Sequence, residues 1–264
     1  MPEILTGLKM SDFSHPDDLK AMKAISMVPG VDKAMTFLED KINQLEFSLT
    51  TMGSCVRLTE KTAPRHYKIL RHVCQILDYP KVPEIYSTRS YNIDITMGGV
   101  ENLIMRVPDF ILNHYDDSLL YFVFGRVITR YKSGYMKYYN ASELIMAGTV
   151  GWELVSEPVR VALANWLRKS TLTADRGGLL ACQSMKTAGR YLMNKAGMPI
   201  NETHNVKIPD YLNACKTDAT LVKAAKGLYT LDDKDGWNND RLRELYNWYS
   251  EGRMSDIVET YTDF

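Results

Sequence analysis

The stretch from Asp116 to Tyr135, which reads DDSLLYFVFGRVITRYKSGY, constrains the fold of this chain more than any other. Its two leading aspartates can cap a helix, because their carboxylates accept hydrogen bonds from the unpaired N–H groups of a first turn. The apolar run that follows is hydrophobic on nearly every side, which predicts a helix buried inside a domain. Arg126 and Arg130 then lie four residues apart on one face of that helix. Because a buried charge without a partner is costly, these two arginines need an explanation.

A second informative passage runs from Trp166 to Gln183 and reads WLRKSTLTADRGGLLACQ. Together the two passages resemble the gluzincin zinc metallopeptidases of the HtpX and CAAX-prenyl-endopeptidase type, and among these the soluble branch. In that family the first passage reads like DDELRFVLGHELGHIKSGH, in which H-E-x-x-H binds zinc and supplies the general base. The second reads like W.R.SELTADRAGLLACQ, and its glutamate is the third zinc ligand. The present chain keeps the surrounding letters, among them FG, KSG and TADR.

The positions that carry the family's chemistry are all replaced. Arg126 and Arg130 stand where the resemblance places the two zinc histidines, Val127 stands at the catalytic glutamate, and Thr171 at the third ligand. A protonated guanidinium has no lone pair for a metal, and valine cannot activate water. The resemblance therefore implies a pseudopeptidase without zinc or any other cofactor, which acts as a binding, assembly or structural protein. The alternative is an enzyme that uses the old cleft for different, non-zinc chemistry.

Three charged residues form the candidate binding site. In active relatives the aspartate of the A-D-R motif orients a zinc histidine from behind the metal. Asp175 is that residue here, which predicts an ion pair with Arg126 or Arg130 in the former metal site. The two guanidiniums can instead form a pocket for an anion or a peptide carboxylate, since their planar forks suit bidentate recognition. A third interpretation leaves them as an undirected, solvent-facing pair.

A strand ahead of the core helix is the expected site of partner binding. In active relatives the substrate lies as an extended strand along the edge of the sheet beside the zinc helix. The corresponding segment here keeps apolar side chains at Leu103, Ile104 and Met105. We therefore expect a protein partner, or a second copy of this chain, to add a strand along Asn102–Arg106. The chain's own tail, folded over the same edge, is the competing occupant.

Patterns along the remaining sequence predict an α+β fold that is mostly helical, with a small antiparallel or mixed sheet and, by the resemblance, the gluzincin (zincin) architecture. We expect one domain with N-terminal helices over residues 1–200, and a C-terminal helical extension packed on it over residues 201–264. Apolar periodicity, prolines and glycines predict helices near 14–29, 31–49, 64–77, 116–135, 137–148, 209–226 and 240–256, and strands near 55–58, 82–86 and 91–110.

Composition narrows the class of partner and the compartment. The chain has 32 basic and 32 acidic residues, so no net field favours nucleic acid. Its four cysteines show neither a C-x-x-C pair nor the spacing of a zinc ribbon. No stretch approaches the roughly 20 apolar residues that span a bilayer, and the first residues lack the apolar core of a signal peptide. We therefore expect a cytoplasmic protein without a transmembrane segment.

Overall fold

The computed structural model describes residues 1–31, 35, 44–90, 94–99, 102–146, 156–215 and 236–262. Over these ranges the chain is mostly helical and carries one four-stranded mixed sheet, which is the α+β class predicted from the sequence. Parts of the predicted helices at 31–49, 137–148 and 209–226, and of the predicted strand region at 91–110, lie outside the described residues. Within the described part of the chain, no helix is long and apolar enough to cross a membrane.

The four strands with described bounds lie between residues 56 and 108, and three helices with described bounds precede them. The strands are β1 (Val56–Leu58), β2 (Glu84–Thr88), β3 (Thr96–Gly98) and β4 (Ile104–Pro108). The helices are α1 (Met10–Phe13), α2 (Pro16–Ser26), α3 (Gln44–Ser54), α4 (Pro64–Ile76), α5 (Asp109–His114), α6 (Asp117–Lys132), α7 (Met136–Met146), α8 (Glu157–Cys182), α9 (Met185–Lys195), α10 (Ile208–Ala214), α11 (Asn238–Ser250) and α12 (Arg253–Thr262), with a 3₁₀ turn at Glu202–Asn205.

The helix predicted from the DDSLLYFVFG stretch is confirmed as α6. Asp116 is its N-cap and accepts a hydrogen bond from the backbone N–H of Leu119 at 3.0 Å, which satisfies one donor of the first turn. The helix ends at Lys132 with Ser133 as its C-cap, because the next residue, Gly134, has a φ of +76° that an α-helix cannot continue through. α6 packs against α8, α4 and α9, so it occupies the centre of the helical layer.

Glycines let α6 and α8 approach closely at the level of Arg126. A Cβ atom added at Gly125 would lie 2.4 Å from the Cβ of Ala181, and one at Gly178 would lie 2.9 Å from the carbonyl oxygen of Phe122. Neither position has room for a side chain at this separation. Gly125 on α6 and Gly178 on α8 therefore set the distance across which the two helices exchange their polar contacts.

The sheet places β4 in its interior, which contradicts the expected edge. The strand order is β1-β2-β4-β3, with β4 parallel to β2 on one side and antiparallel to β3 on the other. The side chains of Leu103, Ile104 and Met105 are also buried. Strand addition along Asn102–Arg106 is therefore wrong, because the backbone groups from Ile104 onward are already used within the sheet. The apolar pattern located the strand, but the order of strands depends on pairing between distant segments.

The two ends of the chain pack on α8 and α9. α2 lies along α8, and α11 contacts both α9 and α8. The guanidinium carbon of Arg176 on α8 lies 5.0 Å from the centre of the Trp248 ring on α11, a cation–π contact. The single tail helix expected near 240–256 is two helices, because the chain turns at Gly252, whose φ is +80°.

Candidate functional site

Polar side chains from α6 and α8 meet in two contacts, one helical turn apart. Arg126 Nε donates to Asp175 Oδ1 at 2.7 Å, and Arg130 Nη2 donates to Thr171 Oγ1 at 3.0 Å. Residues 126 and 130 are four apart on α6, and 171 and 175 are four apart on α8, so each pair lies on one face of its helix. The sequence-predicted positions on these two helices are therefore brought together.

Asp175 is the most buried charged member of this group, with 1% of its side chain exposed. It binds two guanidiniums: besides Arg126, Arg241 of α11 donates from Nε to Oδ2 and from Nη2 to Oδ1, both at 2.9 Å. Burial alone would raise the pKa of Asp175, but the charges of Arg241 and Arg126 outweigh it and hold the pKa below its usual 3.8. We call Arg126, Asp175 and Arg241 the guanidinium cluster.

The sequence analysis missed Arg241, although its surroundings carried a signal. In α11 the buried positions are Arg241, Leu242, Leu245 and Trp248, which recur with helical spacing. An arginine on the buried stripe of an amphipathic helix indicates a buried acidic partner, because its guanidinium would otherwise be desolvated without compensation. The identity of that partner depends on how the tail folds back and was not evident from spacing.

Two tyrosines hold the arginines of α6 in place. Arg126 Nη1 donates to the hydroxyl of Tyr191 on α9 at 2.7 Å. The guanidinium carbon of Arg130 lies 4.7 Å from the centre of the Tyr139 ring on α7. Thr171 in turn donates its hydroxyl to the carbonyl of Leu167 at 3.1 Å, which orients its oxygen as an acceptor for Arg130. Both guanidiniums are therefore fixed by their surroundings.

A cavity of about 60 Å³ lies beside Arg126 and Arg130, between α6, β3 and α7; we call it the α6 cavity. Its charged lining comprises those two arginines together with Asp94 and Glu143, and Lys195 of α9 binds Asp94. The rest of the lining is neutral and is formed by Ile95, Thr96, Met97, Val123, Val127, Tyr139 and Tyr191. The strand that flanks the cavity is thus β3, whereas the predicted Leu103, Ile104 and Met105 do not line it.

Arg130 and Tyr139 also line a second cavity, of about 20 Å³, which contains the buried carboxylate of Asp18. Thr173 Oγ1 donates to Asp18 Oδ2 at 2.6 Å, and the backbone N–H of His15 donates to Thr173 Oγ1 at 3.0 Å. Burial raises the pKa of Asp18, and the bond from Thr173 offsets only part of that rise. This network ties the start of α2 to α8.

The chemistry available at the site is that of hydrogen-bond donors and fixed charges. Across the described ranges, no group of three or more His, Cys, Asp and Glu side chains is arranged to hold a metal ion. Guanidiniums and a threonine hydroxyl occupy the positions where the resemblance implies zinc ligands, and the aliphatic Val127 occupies that of the base. Such groups recognise anions and stabilise packing.

Comparisons of the whole chain with family profiles, with curated proteins and with solved structures each found no match.

Proposed function

We propose that this protein is a pseudopeptidase, a degenerate member of the HtpX and CAAX-prenyl-endopeptidase type of gluzincins that acts by binding or assembly without zinc. The observation that carries the proposal is the pairing of Arg126 with Asp175 and of Arg130 with Thr171. In an active relative these four positions hold two histidine ligands, the glutamate ligand and the aspartate behind them. In an active relative those residues must converge across two helices. The residues at the same four positions of this chain also converge across two helices.

The substitutions convert a metal site into a structural ion-pair site. A zinc ion at this place would meet two positive guanidiniums, which repel it and offer it no lone pair. Asp175, which would orient a histidine in an active relative, instead neutralises Arg126 and Arg241. The helix pair is thereby held together by charge-assisted hydrogen bonds that require no metal. These hydrogen bonds explain how the chain can keep the α6 and α8 framework although every ligand position is substituted.

The proposed binding or assembly role is supported by the α6 cavity. The α6 cavity lies beside Arg126 and Arg130, and it is lined by these fixed donors and by apolar side chains of α6 and β3. An enzyme that uses this cleft for non-zinc chemistry is the competing proposal. A broad hydrolase screen of the wild-type protein separates the two, because turnover that depends on a residue of the cavity supports the enzyme.

The ancestry is tested by rebuilding the ligand set. The variant Arg126→His, Val127→Glu, Arg130→His, Thr171→Glu should bind about one zinc per chain in equilibrium dialysis, because tetrahedral zinc takes three such protein ligands and a water. The matched control restores Thr171, which removes one ligand and should weaken zinc binding strongly. A rebuilt variant that keeps the helical circular dichroism spectrum and yet binds no zinc contradicts the proposal. If the full variant does not fold, the same measurement on Arg130→His, Thr171→Glu alone tests whether these two positions share a metal.

A further inference from the structure

A buried arginine on α9 joins the start of the core helix to the segment that follows α9. Arg190 has 7% of its side chain exposed. Its Nη1 donates to Asp116 Oδ2 at 2.8 Å, and its Nη2 lies 2.8 Å from Nε2 of His204. Asp116 is also the N-cap of α6, whereas His204 belongs to the 3₁₀ turn at Glu202–Asn205. One guanidinium therefore connects two distant parts of the chain through a carboxylate and an imidazole.

The contact with Arg190 fixes the protonation state of the His204 ring. A guanidinium has only N–H donors and stays protonated at any ordinary pH, so it cannot accept a hydrogen bond. Nε2 of His204 must therefore accept from Arg190 with its lone pair, which exists only while this nitrogen carries no proton. Protonation replaces the lone pair by an N–H and places a positive ring beside a positive guanidinium. The hydrogen bond thus forms with the neutral histidine alone.

Asp116 carries its charge throughout the range in which histidine titrates. Burial alone would raise the pKa of Asp116, but hydrogen bonds from Ser118, from the backbone N–H of Leu119 and from Arg190 outweigh it and hold the pKa below its usual 3.8. This carboxylate is therefore ionised at both neutral and mildly acid pH. Because it already balances Arg190, a proton taken up by His204 leaves the three side chains with a net positive charge.

The other charged groups nearby cannot replace the lost bond to α9. In the part of the chain that the structure describes, Arg190 is the one hydrogen-bond partner of the His204 side chain. The charged side chains of α9 are all cationic, namely Lys186, Arg190 and Lys195. Those along the chain near His204 are Glu202, Lys207 and Asp210. A contact of His204 with any of these last three would stay within its own segment and would not attach that segment to α9.

Few other contacts hold this segment in place. None of the seven residues of α10 is fully buried. Ile208, at its start, packs over Gly189 of α9, where an added Cβ would lie 2.6 Å from Ile208 Cδ1. Tyr211 donates its hydroxyl to Asn239 Oδ1 of α11 at 2.7 Å. A short helix with so little buried surface has low local stability, so the loss of one anchoring hydrogen bond should affect it measurably.

We infer that the contact between His204 and Arg190 is a pH-sensitive clamp, which holds residues 202–214 on α9 at neutral pH and releases them in mild acid. An imidazole ordinarily changes its charge between about pH 5 and pH 8. The neutral ring is the bonded form, so the contribution of the clamp to stability is complete above this range and is lost as the pH falls through it. The inference goes beyond the proposed function and does not depend on it.

Amide hydrogen exchange of the wild-type protein at pH 8 and at pH 5 tests the clamp. The results are expressed as protection factors, which remove the intrinsic effect of pH on exchange. We expect the amides of Ile208–Ala214 to lose roughly tenfold in protection at pH 5, because a hydrogen bond to a charged group is lost. Equal protection of these amides at the two pH values would overturn the inference.

Two histidine variants show which ring is responsible. His204→Gln keeps a side-chain oxygen that accepts hydrogen bonds but does not titrate, so the protection of α10 should no longer depend on pH. His114→Gln is the matched control: Nδ1 of His114 donates to the carbonyl of Phe110 at 3.0 Å, a bond that the protonated ring retains. This control should lose protection in α10 as the wild type does. A loss in His204→Gln as large as that of the wild type would assign the effect to another group and overturn the inference.

A measurement on the unaltered chain checks the same ring directly. The carbon-bound protons of the His204 imidazole report its protonation by nuclear magnetic resonance, because their chemical shifts change with the charge of the ring. The fall in protection of α10 should follow this titration with the same midpoint. Protection that is lost over a different range of pH from the titration of His204 would contradict the clamp.

Discussion

Arg241 and Asp175, 66 residues apart in the chain, form a bidentate ion pair with two N–H···O distances of 2.9 Å. The same carboxylate accepts from Arg126 at 2.7 Å. One buried side chain on α8 therefore connects the core helix α6 to the tail helix α11. The tail is thus bound to the place where the resemblance puts the metal, and the stability of the two regions should be coupled.

Replacing Asp175 by Ala should lower the free energy of unfolding by about 3–5 kcal/mol, because two buried guanidiniums lose their shared counter-ion. The comparison is Asp117→Ala, which breaks the exposed pair with Arg65 and should cost about 1 kcal/mol or less. Chemical denaturation of both variants measures the difference. Equal stabilities of the two variants would show that the Asp175 contacts are not formed away from water.

Arg241 is expected to anchor the tail. Arg241→Gln should accelerate amide hydrogen exchange across Asn238–Ser250, because α11 loses the bidentate contact that joins it to α8. Arg243→Gln is the matched control: it is two residues away on the same helix, and its pair with Asp240 is partly exposed. Exchange in α11 that is the same in both variants would mean that apolar packing alone holds the tail.

The two buried aspartates should affect stability with opposite dependence on pH. The folded-state pKa of Asp175 lies below the unfolded value of 3.8, so its contribution is complete well above pH 4 and is lost as the pH falls below that value. The pKa of Asp18 is raised in the folded state, so its contribution declines as the pH rises above 3.8.

Urea denaturation between pH 3 and 7 tests this difference. Asp175→Asn should be destabilised most at neutral pH and least in acid. Asp18→Asn can still accept the bond from Thr173 but no longer buries a charge, so it should equal or exceed wild-type stability at pH 7. A neutral-pH loss in Asp18→Asn as large as that in Asp175→Asn would contradict the assigned directions.

The separation of α6 and α8 can be tested with alanine. Gly178→Ala would place a methyl group 2.9 Å from the carbonyl oxygen of Phe122, which forces the helices apart and should cost roughly 1–3 kcal/mol. At Gly53 in α3 an added Cβ meets nothing within 4 Å, and there alanine should stabilise the helix by up to about 1 kcal/mol. Opposite signs in a thermal melt are the expected result, and a stabilised Gly178→Ala would refute the close approach.

The residue types at the positions where the resemblance implies zinc ligands predict that the purified wild-type protein holds no stoichiometric zinc. Guanidiniums at 126 and 130 and a hydroxyl at 171 supply no ligand set for the ion. Elemental analysis after mild chelation measures this directly. About one zinc per chain would overturn the prediction and with it the proposal of a pseudopeptidase without zinc.

Local sequence signals predicted α4 and α6, whereas α8 and α9 were not among the predicted helices. Asp116 caps α6, and Pro64 opens α4 at the first helical position, as their side chains require. An ion pair of Asp175 with Arg126 or Arg130 was also predicted, although through resemblance to a family and not through spacing, and the structure has it with Arg126. The two helix starts depend on residues within one or two helical turns. The ion pair was predicted from the A-D-R motif, which is present in the chain.

The tertiary structure alone decided the order of the strands and the second partner of Asp175. The residues of Ile104–Pro108 do not predict that β2 and β3 pair with the two sides of this strand. The residues near Arg241 do not predict that its partner is a carboxylate on α8. Capping and apolar periodicity are interactions between near neighbours, so the sequence by itself determines them. Strand order and buried ion pairs are selected by competition among many possible packings of distant segments, and only the folded chain resolves that competition.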